Sequence, residues 1–319
     1  MALGEFDLIA RYFTRPVQRA ALGIGDDCAL LQPAPGMQLA VSSDMLVEGR
    51  HFLSTVAPDA LGHKALAVNL SDLAACGARP LGFTLALAMP RVDEAFLQGF
   101  SHGLLALADA QGIELVGGDT TAGPLNLCIT VFGEVPPGAA LLRSGARADD
   151  DLYVSGRLGD ARLALEAFRG TLDLAGEGFA RVRRAMERPE PRVALGLALR
   201  GVASSAIDIS DGLVGDLGHV LKRSGVGARI EVERLPRSAD LAAQPVAVQL
   251  ECLLAGGDDY ELLFSAPARQ RDAVQAAAQQ TGVAVTRIGG IEAEPGLRLL
   301  DGDGRPLAQH FTAFDHFKT

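Results

Sequence analysis

Several aspartates in this chain lie beside a short apolar run, with glycine, serine or threonine next to them. The pattern is clearest in Gly23–Ala29, which reads Gly-Ile-Gly-Asp-Asp-Cys-Ala, and it recurs at Asp44, Asp119 and Asp211. An apolar run ended by small residues is typical of a strand in a layered sheet. Because ligands of open α/β sheets collect beyond the carboxyl ends of strands, these aspartates are expected to form one site.

Hydrophobic spacing predicts helices over 58–76 and 93–110, with apolar strands over 81–89 and 125–135. Shorter elements are also expected in the first half: a helix over 6–13 and strands over 29–31, 39–42 and 113–116. The second half is expected to contain strands over 152–155, 205–209, 229–232, 262–264, 283–288 and 297–300, with helices between them. Strands that alternate with helices indicate an α/β (α+β) fold. Since Pro136-Pro137-Gly138 reads as a boundary, two domains are predicted, residues 1–137 and 138–319.

Charge and composition exclude several classes of function. The formal net charge is -10 and the chain has no block of lysine and arginine, which argues against a nucleic-acid partner. No apolar run reaches the length of about 18 residues that a membrane span needs. The four cysteines are far apart, so zinc-site spacing is missing and free thiols are expected. The N-terminus lacks the basic start of a signal peptide, which favours a cytoplasmic location.

An acidic protein would repel a phosphate ligand unless bound cations reversed the local charge. Hard divalent cations prefer carboxylate, carbonyl and water oxygens, and the aspartates have hydroxyl neighbours at Ser42, Ser43, Thr120 and Ser210. The pattern therefore favours a magnesium-phosphate centre. Each aspartate taken singly has a simpler explanation as a turn or helix N-cap residue, and Asp211 before Gly212 fits the N-cap well.

The familiar nucleotide and hydrolase motifs are missing from the sequence. It contains no G-x-x-x-x-G-K-[ST] loop, no G-x-G-x-x-G behind a strand, no kinase signature and no G-x-S-x-G elbow. A nucleotide would then be held by metals, by backbone amides near Gly117-Gly118 and by a lone cation. Arg143 is the best candidate for that cation, although an ordinary surface ion pair is an equally simple interpretation of this residue.

Taken together, the motifs resemble the thiamine-monophosphate kinase family, and the likeness runs from end to end. The matching segments are Gly4–Phe6, Gly23–Ala29, Ser42–Asp44, His51-Phe52, Lys64–Ala75, Gly117–Thr121, Arg143–Ala146, Ala206–Leu213 and Gly256–Leu262. The resemblance implies a two-domain fold of the aminoimidazole-ribonucleotide-synthetase-like superfamily and a homodimer built through the N-terminal halves. It also implies transfer of the ATP γ-phosphoryl group to thiamine monophosphate, which gives thiamine diphosphate.

The same resemblance implies roles for individual residues. The residues implied to bind several Mg²⁺ ions are Asp27, Ser42, Ser43, Asp44, Asp72, Asp119, Asp208 and Asp211. The residues implied to contact ATP are Gly118, Asp119, Arg143 and Ser210. The residues implied to contact thiamine monophosphate are His51, Asp258 and Phe314. Two of them depart from the family pattern, because Asp258 stands where glutamate is common and Phe314 where an aromatic with a polar edge is common. Asp26 is expected either to hold the glycine-rich turn or to support the metal ligands from behind, and Asp27 to bind the magnesium ions.

Two alternatives stay open from the sequence. The first is another ATP-using member of the superfamily, such as aminoimidazole ribonucleotide synthetase, selenophosphate synthetase or the hydrogenase-maturation protein. The second is a non-catalytic sensor of a nucleotide or thiamine phosphate. For the kinase, no catalytic side chain is expected, because the acceptor phosphate is already a nucleophile and phosphoryl transfer depends mainly on positioning and charge neutralisation.

Overall fold

A computed structural model describes residues 4–309 and 311–312 of the chain. The described chain divides into two compact units. The first comprises the residues up to Leu73 together with Ala78–Gly138, and the second comprises Ala74–Gly77 and the residues from Ala139 onward. In the described part of the chain, no helix is both long and apolar enough to cross a bilayer.

The N-terminal unit is built on a four-stranded sheet. Its elements are α1 (Glu5–Leu8), a π-helix (Ile9–Phe13), β1 (Gln38–Val47), α2 (Pro58–Cys76), β2 (Arg79–Met89), α3 (Glu94–Gln111), β3 (Glu114–Ala122) and β4 (Asn126–Val135). The strand order is β1-β4-β2-β3. β4 pairs antiparallel with both neighbours, whereas β2 and β3 are parallel and are joined by α3. A parallel pair needs such a crossover connection.

Helices α2 and α3 cross closely because glycine stands at their contact. A Cβ atom on Gly62 would lie 2.0 Å from the carbonyl oxygen of Phe100, and one on Gly103 would lie 1.8 Å from that of Asp59. The helices supply buried side chains such as Leu66 and Leu104. The closeness of the crossing follows from the missing side chains, which let the two backbones approach.

One face of strand β1 is exposed to solvent. Along β1, Leu46 is buried, whereas Leu39, Val41, Met45 and Val47 are exposed on the opposite face. Successive side chains of a strand point to opposite faces, so the exposed set forms one apolar stripe on an edge strand. Contiguous apolar surface of this kind is typical of an interaction face.

The C-terminal unit contains a six-stranded sheet in the order β10-β7-β9-β5-β8-β6. Its elements are β5 (Asp150–Ser155), α4 (Asp160–Phe168), α5 (Gly176–Glu187), α6 (Val193–Ala198), β6 (Ser205–Asp208), α7 (Leu213–Ser224), β7 (Gly227–Glu231), α8 (Ala239–Ala242), α9 (Val246–Ala255), β8 (Leu262–Pro267), α10 (Arg271–Thr281), β9 (Val285–Glu292) and β10 (Gly296–Leu300). Strands β5 and β6 both pair antiparallel with β8, so they run in the same direction. Their carboxyl ends therefore lie at one edge of the sheet.

Several sequence predictions were wrong in detail. The strand expected over 29–31 is absent; an isolated bridge joins Leu22 to Leu30 instead. β1 does not end at Asp44, because its pairing with β4 continues from Gln38 to Val47. Asp119 likewise lies inside β3, paired with Ala86. Asp72 lies inside α2, whereas Asp208 does end its strand. A strand that pairs with a long neighbouring strand can continue through polar residues, although the local sequence pattern predicts that it ends there.

Candidate active site

A cavity of about 540 Å³ in the N-terminal unit brings two of the aspartate motifs together. Asp26 and Asp27 line it from the glycine-rich turn, and Gly118 and Asp119 line it from β3. The Asp26 side chain accepts a hydrogen bond from the backbone N–H of Asp27 at 2.8 Å. This bond lies within the turn, and the Asp27 side chain is exposed beside the cavity.

The backbone of Gly118 lies too close to β2 for any other residue. Its φ is 151°, and a Cβ atom there would lie 1.9 Å from the carbonyl oxygen of Leu85. Gly117, by comparison, has space for a side chain, since a Cβ atom there would lie 3.6 Å from Thr84, an ordinary van der Waals distance. Gly118 is thus required by strand packing, and that packing fixes the adjacent Asp119.

A second group of polar residues lies between β1 and α2. Ser42 Oγ donates a hydrogen bond to Asp72 Oδ2 at 2.5 Å. The backbone N–H of Asp44 donates to Asn69 Oδ1 at 3.0 Å. Asn69 is 1% exposed, and the Lys64–Ala75 motif that contains it gives no local sign of this role. It fixes the β1 backbone at the position that carries the Asp44 carboxylate.

Ser43 does not join this group. Its hydroxyl lies 2.9 Å from Thr130 Oγ1 on the neighbouring strand, and it is also within hydrogen-bond distance of the Ile129 carbonyl oxygen. Since consecutive side chains alternate across a strand, Ser42 and Ser43 face opposite sides of the sheet. A ligand held by the side chains of Ser42 and Asp44 would therefore reach Ser43 only through its backbone.

The loop after β1 holds His51 in one orientation. Its Nδ1 atom accepts a hydrogen bond from the backbone N–H of Val47 at 3.0 Å, which leaves Nε2 as the outer nitrogen. The buried Lys64 donates from Nζ to the carbonyl oxygen of His51 at 3.1 Å. Lys64 begins the Lys64–Ala75 motif, but the sequence does not predict that it supports the His51 loop.

In the C-terminal unit, Asp208 ends β6, and Ser210 and Asp211 form the turn before α7. Oδ2 of the buried Asp216 accepts hydrogen bonds from the backbone N–H groups of Ser210, Asp211 and Gly212, at 3.1, 3.1 and 3.2 Å. The pKa of Asp216 is raised to about 7, chiefly because the carboxyl is buried; the nearby Asp211 charge also raises this pKa, and the three N–H groups lower it. Sequence reasoning missed Asp216, because an aspartate within a helix carries no local signal.

The loop that carries Arg143 is tied to the far end of α7. Ser224 Oγ accepts hydrogen bonds from the backbone N–H groups of Gly145 and Ala146, both at 3.2 Å. The carbonyl oxygen of Leu142 accepts from the N–H of Ala206 on β6. Arg143 itself is exposed, and its side chain extends from a loop fixed on both sides.

Asp258 occupies a turn with unusual backbone conformation. Its φ is 66° and that of Tyr260 is 50°, both in the left-handed region. The backbone N–H of Asp258 donates to the carbonyl oxygen of Ser210 at 2.9 Å, and Tyr260 Oη donates to the carboxylate of Asp258 at 3.0 Å. Backbone strain of this kind is frequent at functional sites. Phe314, the other residue predicted to touch the substrate, lies outside the described residues.

Two further carboxyl groups, those of Asp259 and Glu261, lie beside this turn. Burial raises the pKa of Asp259 well above its usual value, and its Oδ1 accepts from the N–H of Gly159 at 2.9 Å. Glu261 is instead paired with Arg192, whose Nε donates to it at 2.7 Å. Glu261 and Arg192 hold the start of β8 and so support the turn that presents Asp258.

The donor set fits magnesium in its chemistry, since carboxylate and hydroxyl oxygens are the ligands that Mg²⁺ prefers. Within residues 4–309 and 311–312, however, no three His, Cys, Asp or Glu side chains come together closely enough to hold a metal ion. The N-terminal unit presents Asp27 and Asp119 at the cavity and Asp44 and Asp72 between β1 and α2.

Comparison with known proteins identifies the family. The model of the AIR synthase related protein N-terminal domain matches residues 25–135, and that of the C-terminal domain matches residues 147–302. The thiamine-monophosphate kinase of Salmonella typhimurium is 47% identical over 327 residues, covering 100% of both chains. The chain belongs to the thiamine-monophosphate kinase family.

Two solved structures extend the comparison with this kinase family. The thiamine-monophosphate kinase from Stenotrophomonas maltophilia is 45% identical, covers 94% of this chain and 95% of its own, and superimposes with a TM-score of 0.85. AaThiL complexed with AMPPCP and TMP is 29% identical, covers 90% of this chain and 89% of its own, and has a TM-score of 0.77. The two-domain fold expected from the sequence is thereby confirmed.

Proposed function

We propose that this protein transfers the γ-phosphoryl group of ATP to thiamine monophosphate and forms thiamine diphosphate. The observation that carries the proposal is the 47% identity to the Salmonella typhimurium thiamine-monophosphate kinase over the full length of both chains. AaThiL supports it, because its complex contains AMPPCP, an analogue of ATP, together with TMP, thiamine monophosphate.

ATP is proposed to bind in the N-terminal cavity and to contact Gly118 and Asp119, which line the cavity together with Asp27. Arg143 and Ser210 of the C-terminal unit are the other proposed ATP contacts. Arg143 suits a phosphate because a guanidinium forms paired hydrogen bonds with its oxygens. His51 and Asp258 are proposed to contact thiamine monophosphate, and each is held by the hydrogen bonds of its own loop.

Mg²⁺ is the proposed cofactor. Asp27, Ser42, Asp44, Asp72, Asp119, Asp208 and Asp211 would hold the ions with their side chains, and Ser43 with its backbone. When bound, magnesium would neutralise charge on two anionic substrates that otherwise repel each other. The protein's own residues keep the carboxylates in place: Asn69 through the backbone of Asp44, and Asp216 through the turn of Asp211.

Direct transfer needs no nucleophile from the protein. The acceptor is a phosphate oxygen that is already ionised at neutral pH, so alignment with the donor phosphate is the main requirement. No covalent phospho-enzyme is therefore proposed. Single-turnover experiments with labelled ATP test this point, since a labelled enzyme formed at a competent rate would contradict direct transfer.

A homodimer through the N-terminal unit is also proposed. The apolar stripe of Leu39, Val41, Met45 and Val47 on the open face of β1 supports it. Burying such a stripe against a second copy would remove apolar surface from water. Sedimentation of Val41→Asp, which places a charge in the stripe, should show monomers where the wild type is dimeric. The cytoplasmic location expected from the sequence stays a prediction.

The experiment that tests the function is an ADP-release assay with thiamine monophosphate, thiamine and aminoimidazole precursors as acceptors, with Mg²⁺ and with EDTA. ADP release should require thiamine monophosphate and magnesium together. Release with an aminoimidazole precursor would indicate another enzyme of the superfamily. Binding of ATP and thiamine monophosphate without ADP release would indicate a sensor.

A further inference from the structure

The C-terminal unit contains a cavity of about 580 Å³, a size that is typical of pockets for small molecules. Among its lining residues, only Asp258 has a proposed contact with a substrate. The basic side chains of the lining are all arginines, namely Arg157, Arg181, Arg184, Arg188, Arg192 and Arg237. In a protein with a formal net charge of -10, this arginine-lined cavity stands apart from the rest of the chain.

Several of these arginines are bound to other groups of the protein. Arg181 pairs with Asp240 at 2.8 Å, and Arg192 pairs with the buried Glu261. Arg237 donates hydrogen bonds to two backbone carbonyl oxygens, at 3.2 and 3.0 Å. These contacts explain part of the cluster as structural, and they hold three of the guanidinium groups in place.

Arg157 and Arg184 are different from the other arginines of the cavity. Neither forms a hydrogen bond or an ion pair with any residue in the described part of the chain. Arg157 lies in the loop between β5 and α4, whereas Arg184 lies in the last turn of α5. Both residues are exposed. Two elements that are separate in sequence thus bring uncommitted guanidinium groups to one cavity, where a structural role leaves them unexplained.

The carboxyl groups in the lining leave positive charge in excess. They belong to Asp160, Glu190, Asp258, Asp259 and Glu261. Both glutamates pair with Arg192. Burial raises the pKa of Asp259 well above its usual value, which favours the uncharged form. Burial also raises the pKa of Asp160, although the charge of Arg157 lowers it. Among the described residues of the lining, arginines therefore outnumber ionised carboxyl groups.

We propose that the arginine-lined cavity binds the phosphate group of a small anionic molecule, with Arg157 and Arg184 as its direct contacts. The planar guanidinium fork forms paired hydrogen bonds with phosphate oxygens. The chain itself supplies the cations, so this site needs no metal, unlike the aspartate-rich site proposed for ATP. Thiamine monophosphate does not match the lining, because arginines would repel its cationic thiazolium ring. The inference concerns a separate ligand and does not rest on the proposed function.

The test is calorimetric titration of the full-length protein with inorganic pyrophosphate in EDTA. The wild type should show saturable binding, and Arg157→Ala and Arg184→Ala should each weaken it about tenfold, since each loses a charge-assisted hydrogen bond. Arg269→Ala is the matched control, because Arg269 is also exposed, lies in the same unit and is not part of the cavity lining. Melting temperatures should match the wild type, since all three substitutions change exposed side chains.

Arg143→Ala shows in which site the pyrophosphate binds. Because Arg143 is a proposed ATP contact, its loss should leave pyrophosphate binding in EDTA unchanged. Binding that is lost in Arg143→Ala but kept in Arg157→Ala and Arg184→Ala would place the anion in the ATP site and overturn the inference. Absence of saturable binding to the wild type would also overturn it, and so would equal losses in Arg184→Ala and Arg269→Ala. Citrate in place of pyrophosphate tests the ligand class, since tighter binding of citrate would rule out a phosphate-specific site.

Discussion

Asp216 accepts a hydrogen bond on Oδ2 from the backbone N–H of Asp211 at 3.1 Å, and the same oxygen accepts from the N–H groups of Ser210 and Gly212. One carboxylate oxygen of Asp216 thereby binds the backbone of the turn that carries Asp211. Asp216, five positions after Asp211, thus stabilises the turn before α7. Asp211 can therefore stand in this turn while the N-terminus of the helix stays ordered.

Replacing Asp216 should separate the loss of this acceptor from the loss of its charge. Asp216→Ala leaves buried N–H groups without a partner and should lower the free energy of unfolding by about 3–5 kcal/mol. Asp216→Asn keeps an acceptor oxygen and should cost roughly 1 kcal/mol. Urea denaturation measures both values. Equal losses in the two variants would show that the three hydrogen bonds do not support the turn.

Gly118 and Gly117 offer a matched pair for backbone packing. Gly118→Ala places a Cβ atom 1.9 Å from the Leu85 carbonyl oxygen and should separate β3 from β2. Gly117→Ala places one at 3.6 Å from Thr84, an ordinary contact. We expect Gly118→Ala to lose more than about 3 kcal/mol of stability and Gly117→Ala less than about 1 kcal/mol. Thermal unfolding, followed by circular dichroism, tests the difference.

Asp119 is exposed on β3, so its carboxylate can be changed without disturbing the core. Asp119→Asn should lower kcat for ADP release by at least about a hundredfold if the charge helps to hold magnesium and ATP. Its melting temperature should stay within about 2 °C of the wild type. Asp173→Asn, in an exposed loop before α5, is the control and should retain full activity. Wild-type turnover in Asp119→Asn would remove this residue from the site.

The half-buried Arg192 and the buried Glu261 form an ion pair beside the Asp258 turn. Glu261→Gln removes the buried carboxylate from the Arg192 guanidinium, which keeps its 3.2 Å contact with the exposed Glu190, and should cost about 3 kcal/mol. Combining Arg192→Met with Glu261→Gln should cost less than the sum of the single changes, because no buried charge then remains. The double-mutant cycle is measured by urea unfolding. Additive losses would mean that the pair is not coupled.

Asp151 predicts a specific dependence of stability on acid. Hydrogen bonds and charge from Arg271 and then Arg287 lower the pKa of Asp151 despite its burial. Its contribution to stability is therefore complete above the unfolded-state pKa of about 3.9 and is lost as the pH falls through the folded-state value. Asp151→Asn should be about 1–2 kcal/mol less stable than the wild type at pH 7. The difference should shrink toward zero below that range, and a constant difference down to pH 2 would contradict this assignment.

Local patterns predicted the long elements well, but not the bounds of the polar strands. The apolar periodicity of the sequence predicts the bounds of α2, α3 and β4 to within a few residues. β1 was expected to stop at Ser42-Ser43-Asp44, yet its pairing with β4 continues to Val47. Cross-strand hydrogen bonds decide such cases. Here they come from Asn126–Ile129, which are far from Asp44–Val47 in the sequence and lie outside any local window.

The sequence by itself determined the family, the α/β class and the set of oxygen-bearing residues, because these depend on residue types and their order along the chain. Tertiary structure alone decided how those residues are held. It placed Asn69 against the backbone of Asp44 and Asp216 against the backbone of Asp211, and it brought Asp27 and Asp119 to one cavity. The physical reason is that a supporting hydrogen bond or an uncovered face arises from packing between distant segments, whereas a motif records only neighbours in sequence.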